Sequence, residues 1–265
     1  MVTTDEVLRH GELTVEGRLV VASNLTVLAT AVLDDVSVGC VYKPIAGERP
    51  LWDFPDGTLA GREAAAYVVS EAAQWGLVPV TVLRTDGPLG AGMCQQWIEQ
   101  ADNAPAWVDV VEEHEVGDGV LPILNAVDGD GRSVVVVHRD DDELRQLALF
   151  DVIVNNADRK GGHVLHGAGA GAAVLGVDHG VSFHVEPKLR TVLWGWAGSP
   201  LVDSERRSLE DLRVALDADG ELRRRLTDLL DVPEIDAIDA RVADLLKADV
   251  LPHPEGPMPV PWPVI

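Results

Sequence analysis

The sequence has 265 residues, of which 44 are acidic and 21 are basic, and its formal net charge at pH 7 is −23. A surface this negative repels phosphate backbones and anionic lipid headgroups, so we expect neither nucleic-acid binding nor stable membrane association. Because 46% of the residues are hydrophobic and 25% are charged, the composition is that of a folded globular chain and not of a disordered one.

The N-terminal segment has neither the apolar stretch of a signal peptide nor the pattern of a transit peptide, and no apolar run approaches the roughly 18 residues of a membrane span. Cys40 and Cys94 are too sparse for a disulfide framework or a structural zinc site, which favours two buried thiols in a reducing compartment. We therefore expect a cytoplasmic protein.

The first third of the chain is predicted to form an antiparallel meander. Strands are expected at residues 13–21, 25–33 and 38–43, which alternate or are rich in β-branched residues and are separated by turn residues. After a polar loop, Asp56 or Thr58 is expected to cap a helix over residues 59–75, which Gly76 ends. A further strand is predicted at 78–84.

The rest of the chain is predicted to be mostly helical. Acidic residues accumulate over 102–143, and we interpret this stretch as a connection between lobes that includes one strand at 134–137. A helix over 144–154 and a hairpin of residues 164–165 and 174–177 follow. Three more helices are expected to begin near Ser208, Gly220 and Pro233. The Pro-rich end cannot be regular helix, and we expect a surface strap or a loose tail.

The densest polar segment lies between the predicted helix and the hairpin, at residues 155–163, and loops held between rigid elements often carry catalytic groups. The second hairpin strand delivers Asp178, a carboxylate that needs a metal, a basic partner or exposure to solvent. If the hairpin forms, Asp158, His163 and Asp178 meet at one mouth. Asp158 could then orient a hydroxyl proton while the other two bind a divalent ion, an arrangement that suits phosphoryl transfer.

A lysine and a glutamate upstream form a second candidate pair. Lys43 and Val41 share one face of a predicted strand, and an inward lysine there needs an anion. Glu63 lies on a largely uncharged stripe of the following helix, so its charge also needs a partner. Such a pair positions nucleotide phosphates in kinases, although an ordinary surface ion pair is the alternative.

Three segments resemble the phosphoinositide 3/4-kinase-like superfamily, most closely the type II phosphatidylinositol 4-kinases. They are residues 40–44 (Cys-Val-Tyr-Lys-Pro), 150–159 (Phe-Asp-Val-Ile-Val-Asn-Asn-Ala-Asp-Arg) and 177–180 (Val-Asp-His-Gly). The chain also resembles an actinobacterial group of small kinase-like proteins without an assigned substrate. The resemblance implies an α+β, two-lobed protein-kinase-like fold, with an N-lobe of antiparallel sheet and helix at 1–98, a mostly helical C-lobe at 99–252 and a Pro-rich tail at 253–265.

The resemblance also implies roles for individual residues. Lys43 would bind phosphate with Glu63 as its helix partner, Asp158 followed by Arg159 would be catalytic, and Asp178 would bind metal. The hinge that holds adenine would comprise Gln95, Gln96, Trp97 and Ile98.

The chain departs from the family pattern at two places. His163 stands where a second metal-binding Asn is usual, and its nitrogen suits Mn or Zn better than Mg. The loop expected to cover the nucleotide, residues 22–26, has Ser23 and Asn24 in place of several glycines, so these side chains would have to help hold phosphate.

The sequence therefore predicts an ATP-dependent phosphotransferase that uses Mg or Mn and acts on a soluble small-molecule or protein acceptor. Transfer of phosphate and transfer of AMP are not distinguished. One alternative is a catalytically weak, nucleotide-binding pseudokinase that acts as a scaffold. Another is a metal-dependent hydrolase that uses nearby aspartates with a group of histidines: His163, His166, His179 and His184.

Overall fold

The computed structural model describes residues 2–19, 24–49, 51, 54, 58–167 and 173–265. Over these residues the chain is mixed α and β, with antiparallel sheets and six α-helices. The helices are α1 (Thr4–His10), α2 (Leu59–Ala72), α3 (Asp142–Val154), α4 (Asp203–Leu216), α5 (Glu221–Leu226) and α6 (Val232–Ala248). No helix in the described ranges is both long enough and apolar enough to cross a membrane.

The strands form three sheets. They are β1 (Glu12–Arg18), β2 (Val27–Leu33), β3 (Val36–Pro44), β4 (Thr81–Arg84), β5 (Gly92–Gln96), β6 (Val108–Glu112), β7 (Val120–Val127), β8 (Ser133–Arg139), β9 (Val164–His166) and β10 (Val174–Gly176). A five-stranded sheet has the order β1-β2-β3-β5-β4, a three-stranded sheet has the order β6-β8-β7, and β9 pairs with β10.

The predicted meander and its turn are confirmed. Asp34 and Asp35 both have positive φ, 46° and 64°, as the tight turns that join twisted antiparallel strands require. Apolar residues on one face of the five-stranded sheet, including Cys40 and Tyr42, pack under α1, so Lys43 projects from the opposite face, as the alternation predicts. Helix α1 was not predicted, although its capping box of Thr3 and Glu6 is visible in the sequence.

The segments between the predicted elements contain more strand than expected. Strand β5 overlaps the first residues of the predicted hinge and is an inner strand that pairs with both β3 and β4. The strand predicted at 134–137 is confirmed as β8, and the acidic stretch around it also forms β6 and β7, so that β8 is the centre of a three-stranded sheet. Because the four buried valines of β8 are consecutive, both faces of this strand are covered.

Helix α2 is held from both ends. The predicted cap is wrong in detail: Thr58 has a left-handed conformation with no side-chain cap bond, and the Glu48 carboxylate accepts the N–H groups of Leu59 and Ala60 at 3.2 and 2.8 Å. Asp56 lies outside the described residues. The helix ends at Ala72, three residues before the predicted end.

Apolar residues of α2 belong to the larger hydrophobic cluster, together with α3, α4 and α6. On the same helix, Arg62 forms an ion pair with Glu234 of α6 and donates to the carbonyl oxygen of Ser182 at 2.5 Å. The predicted boundary at residue 98 groups α2 with the first sheet, and the helix contacts β4 and β5 of that sheet as well as α5 of the helical part. The lobe boundaries themselves stay predictions.

The second half has the predicted order of elements. Helix α3, the β9–β10 hairpin and three further helices follow one another, although α4 begins at Asp203, earlier than expected. The Pro-rich end is a strap: the carbonyl oxygens of Pro259 and Val264 accept the N–H groups of Thr191 and Gly161 at 3.1 and 2.8 Å. The strap therefore lies against the loop that follows α3.

A substitution at Gly61 tests how closely α2 approaches the backbone at Leu229. A Cβ atom at this position would lie 2.8 Å from the main-chain oxygen of Leu229. Replacing a helical glycine by alanine ordinarily stabilises by about 1 kcal/mol, but here we expect Gly61→Ala to destabilise by about 1–3 kcal/mol because backbone must move. Urea denaturation measures the change, with Gly17→Ala as a control whose Cβ meets nothing within 4 Å. A stabilised Gly61→Ala protein would contradict the packing.

Candidate active site

Three predicted site residues meet where the first sheet, α2 and β10 come together. Lys43 near the end of β3 places its Nζ atom 2.6 Å from Oε1 of Glu63 on α2. The same Nζ atom forms an ion pair with Oδ1 of Asp178, which follows β10. These residues are far apart in sequence, so the fold assembles the triad.

The backbone around Asp178 is fixed by the hairpin and by a bend. The N–H of Val177 donates to the carbonyl oxygen of His163 at 3.0 Å, which ties the end of β10 to the preceding loop. Asp178 itself has a φ of 63°, a left-handed conformation that is costly for a residue other than glycine. Strain of this kind is concentrated at functional sites, and here it turns the carboxylate toward Lys43.

The loop after α3 is held by the side chains of two asparagines. Asn155 ends the helix with a φ of 54°, and its Nδ2 donates to the carbonyl oxygens of His184 and Glu186 at 2.8 and 2.7 Å. Oδ1 of Asn156 accepts the N–H of Asp158 at 2.9 Å. The loop is therefore shaped before any ligand binds, which reduces the ordering cost of binding.

His163 lies between the two predicted site aspartates. Its Nδ1 is 3.0 Å from the main-chain oxygen of Asp158, and its Nε2 is 3.3 Å from Oδ2 of Asp178. The Asp158 carboxylate is one-third exposed and pairs with Nζ of Lys160 at 2.9 Å. The imidazole ring of His163 thus lies between Asp158 and the Lys43 triad.

Arg159 does not occupy the position expected of a catalytic group. Its side chain is fully buried beside the equally buried Asp151, to which Nη2 donates at 2.9 Å. Its Nη1 donates to the carbonyl oxygens of His163 and Val177 at 3.1 and 2.8 Å. A buried guanidinium with these partners cannot touch a substrate, so the direct catalytic role is corrected to a positioning role.

The charge of Lys43 dominates the electrostatics of the triad. Burial alone would lower the pKa of Lys43, but Glu63 and Asp178 more than offset burial, and the pKa lies above its ordinary value. In turn, the Lys43 ammonium holds the pKa of Asp178 well below its usual range. Lys43 and Asp178 are therefore both charged at neutral pH. In contrast, burial raises the pKa of Glu63.

The two histidines of the site are neutral at pH 7. Burial lowers the pKa of His163. Burial also lowers the pKa of His179, with the charge of Arg159 acting in the same direction, to well below its ordinary value. Neutral imidazole is the form that binds metal ions or accepts a hydrogen bond.

The donor atoms of His163 and Asp178 fit a shared divalent ion. A carbonyl oxygen only accepts, so Nδ1 of His163 donates to Asp158, and the neutral ring leaves a lone pair on Nε2. This lone pair faces a carboxylate oxygen at 3.3 Å, a separation that two metal–ligand bonds of about 2.0–2.2 Å can span. The carbonyl contact orients the ring, as a hydrogen bond to the other ring nitrogen does in metal-binding histidines.

The histidine-rich metal site of the hydrolase alternative does not form. Among the described residues no group of three or more His, Cys, Asp or Glu side chains could hold a metal ion. His166 stacks on Trp107, His184 packs edge-on against Phe54, and His179 is buried beside Arg159. A hydrolytic zinc site needs about three protein ligands.

The residues predicted to contact the nucleotide base are not joined to the triad by any contact in the described part of the chain. Gln95 lies on the Lys43 face and donates through Nε2 to Oγ1 of Thr81 at 2.8 Å, and the main-chain N–H of Gln96 donates to the carbonyl oxygen of Val80 at 2.8 Å. The indole of Trp97 is 38% exposed, and Ile98 is partly buried. The predicted adenine contacts stay a prediction.

The loop expected to cover the phosphates is described only in part. Ser23 lies outside the described residues. Oδ1 of Asn24 accepts the N–H of Arg49 at 3.0 Å, so this side chain braces the following loop. The structure thus gives Asn24 a local structural contact, and its predicted phosphate contact stays a prediction.

One relative spans almost the whole chain. Protein Rv2133c of Mycobacterium tuberculosis is 50% identical over 265 residues, which cover 97% of this chain and 94% of that protein. The chain belongs to the Rv2133c family. No protein-family model matches it.

One solved structure has a weak overall similarity to the structure of this chain. It is the crystal structure of a Helicobacter pylori proinflammatory kinase, CtkA, with a TM-score of 0.43 and 11% sequence identity, and the match covers 92% of this chain and 94% of that chain. Similarity at this level carries no argument about activity, which has to rest on the site geometry.

Two side chains that support the site, Asp151 and Lys160, were not singled out from the sequence, and His179 was considered only as a metal ligand of the hydrolase alternative. Asp151 lies among the buried apolar residues of α3, and a charge in such a stripe signals a buried partner. Lys160 follows Asp158 by two positions, and His179 follows Asp178 directly. Their proximity to the predicted aspartates was the available signal, but their bonding depends on the tertiary fold.

The buried pair of Asp151 and Arg159 should be essential for folding of this Rv2133c relative. We expect Asp151→Asn to destabilise by about 3–5 kcal/mol because it leaves a buried guanidinium without a counter-charge. The control is Asp5→Asn, which removes a surface pair with Arg9 whose side chains are 37% and 43% exposed, at a cost below about 1 kcal/mol. Urea denaturation measures both, and equal losses in the two variants would contradict the assignment.

Proposed function

We propose that the chain is an ATP-dependent phosphotransferase with a kinase-like site. The observation that carries the proposal is the meeting of Lys43, Glu63 and Asp178, which are separated by 20 and 135 positions. A lysine held by a helix glutamate beside a metal-binding aspartate is the arrangement by which kinases position nucleotide phosphates. The resemblance of the three sequence segments supports the same activity.

Lys43 would bind the phosphates of ATP. Its Nζ atom would keep Glu63 as a buried partner. It would exchange the Asp178 carboxylate for phosphate oxygens, which are also negatively charged. Because the side chain of Asp178 is half exposed while that of Glu63 is 3% exposed, Asp178 is the partner that can leave. The exchange would free Asp178 to act with His163.

Asp178 and His163 would hold the divalent ion. A divalent ion held by these two residues would supply positive charge that offsets the charge developing on the transferred phosphate. The imidazole nitrogen favours Mn over Mg.

Asp158 would orient the acceptor hydroxyl and accept its proton. Its carboxylate is partly exposed, as a group that meets a second substrate must be, and Lys160 lies beside it at 2.9 Å. The Lys160 ammonium would neutralise part of the charge on the transferred phosphoryl group. Arg159 acts behind them as a positioning residue.

The acceptor is proposed to be a soluble small molecule or a protein. A net charge of −23 disfavours anionic membranes and nucleic acids as substrates. The acceptor's identity and the choice between phosphoryl and adenylyl transfer are to be read from the masses of products formed from labelled ATP in cell extract.

A second candidate, a nucleotide-binding pseudokinase, is favoured by one observation. The direct ion pair of Lys43 with Asp178 occupies the position that phosphate would take, and a chain that keeps this pair would bind nucleotide weakly or bind it without transfer. Such a protein would gain thermal stability with ATP but would not turn ATP over.

Two substitutions should separate binding from transfer. We expect Lys43→Ala to weaken ATP binding by about tenfold or more, because a charge-assisted hydrogen bond contributes about 1.5–3 kcal/mol. We expect Asp158→Asn to abolish transfer while ATP affinity changes little, since Asp158 acts on the acceptor. Titration calorimetry with ATP and Mn²⁺ measures affinity, and product masses measure transfer.

The matched control for Lys43→Ala is Lys247→Ala, which removes an exposed lysine of α6 and should leave ATP affinity unchanged. Full transfer activity in the Asp158→Asn protein would refute the proposed mechanism. ATP binding without any transfer in the wild-type protein would favour the pseudokinase.

The metal assignment predicts a nitrogen ligand on bound Mn²⁺. Electron spin-echo envelope modulation of Mn²⁺ with ATP should show nitrogen coupling in the wild type, and His163→Asn should abolish the coupling while weakening the preference for Mn over Mg. His166→Asn is the control, because His166 stacks on Trp107 instead. Nitrogen coupling that survives in His163→Asn would refute the assignment.

A further inference from the structure

His179, the middle residue of the Asp-His-Gly segment, is fully buried and bonded on two sides. Its main-chain N–H donates to Oε2 of Glu63 at 2.8 Å. Its ring Nε2 lies 2.6 Å from Nη2 of Arg159. Because a guanidinium has only donors, Nε2 must be the acceptor, and the ring proton lies on Nδ1.

The Arg159 side chain that makes this contact is held in place by Asp151. The Arg159 guanidinium donates to Asp151 through Nε and Nη2, at distances of 2.9–3.2 Å. Arg159 directly follows Asp158, the proposed catalytic aspartate. The ring of His179 is therefore fastened to the loop that carries Asp158.

The glutamate side of the contact sets the position of Lys43. Glu63 is 2% exposed, and each of its oxygens has one bond: Oε1 to Lys43 and Oε2 to the N–H of His179. If this N–H turned away, Oε2 would be a buried charged atom without its donor, and the glutamate would have to move. The orientation of the His179 backbone therefore decides whether α2 can present Glu63 to Lys43.

The ring is not simply an apolar filler. It packs edge-on against Phe150, with ring centroids 5.6 Å apart, a contact that a phenylalanine could make equally well. Its Nδ1 is buried and has no hydrogen-bond partner in the described part of the chain, a cost that an apolar ring would avoid. The acceptor atom on the other side of the ring is what distinguishes histidine here.

We propose that His179 is a positioning residue that couples α2 and Lys43 to the Asp158 loop, so that one cannot move without the other. The left-handed turn at Asp178, with its φ of 63°, directly precedes His179. The coupling is a property of the fold, whereas its consequence for ATP rests on the proposed function.

The first test needs no nucleotide. Hydrogen–deuterium exchange is compared in the wild type, His179→Phe, which keeps a ring without the acceptor, and His179→Gln, which restores an acceptor near Nε2. We expect α2 and residues 155–163 to exchange at least tenfold faster together in His179→Phe and to recover in His179→Gln. If either segment of the His179→Phe protein exchanges at the wild-type rate, the coupling is overturned.

His138→Phe is the matched control. His138 is also fully buried, and its Nε2 accepts the N–H of Gly195 at 3.0 Å, but it lies on β8 away from the triad. We expect its substitution to lower overall stability without linked exchange at α2 and the loop. The same linked change in this control would reduce the role of His179 to general packing and overturn the proposal.

A measurement on the wild-type protein covers the case in which His179→Phe does not fold. Long-range proton–nitrogen NMR spectra of histidine-labelled protein should show His179 with a proton on Nδ1 and none on Nε2. A proton on Nε2 would exclude the contact with Arg159 and with it the coupling.

The second test concerns nucleotide binding. We expect His179→Phe to weaken binding of ATP with Mn²⁺ at least tenfold, and to add little to the loss already caused by Glu63→Gln, because both act on the same contact. Fully additive losses would overturn the linkage. If the wild-type protein binds no ATP, the proposed function fails, and the exchange experiment still decides the coupling.

Discussion

A single positive charge joins three parts of the chain that lie far apart in the sequence. Lys43 on β3 is held between Glu63 on α2 and Asp178 after β10. A buried carboxylate such as Glu63 is stable only with a partner, and Lys43 and the N–H of His179 supply its bonds. The position of the sheet relative to α2 and to the hairpin therefore follows from the need to satisfy these charges.

Contacts around the triad hold its members in place. Helix α2 is fixed by the Glu48 cap, by the close approach of Gly61 to Leu229 and by the ion pair of Arg62 with Glu234. The loop of Asp158 is fixed by its asparagine bonds and by the buried Arg159. A preorganised site of this kind lowers the cost of binding a highly charged nucleotide, and its most exposed member is Asp178.

The sequence predicted those features that depend on local pattern. Strand alternation placed Lys43 and Tyr42 on opposite faces of β3. The glycine-rich segment between Val164 and Val174 predicted the hairpin that is followed by Asp178. The two outer strands of the three-stranded sheet were missed because acidic residues dominate the segment around β8, whose valines are buried on both faces. The burial of Arg159 was missed because it depends on Asp151 lying eight residues earlier on α3, a contact that only the tertiary fold creates. Roles in adenine and metal binding are not fixed by pattern, because they depend on side chains from several elements.

The most direct measurement of the central claim is lysine labelling by an ATP acyl phosphate, which acylates amines that contact bound phosphates. The chain has four lysines, Lys43, Lys160, Lys188 and Lys247, so peptide mass spectrometry resolves each one. If Lys43 faces the triphosphate, it is acylated and excess ATP prevents the reaction. Acylation confined to Lys188 and Lys247, or acylation of Lys43 that excess ATP does not reduce, would contradict the account.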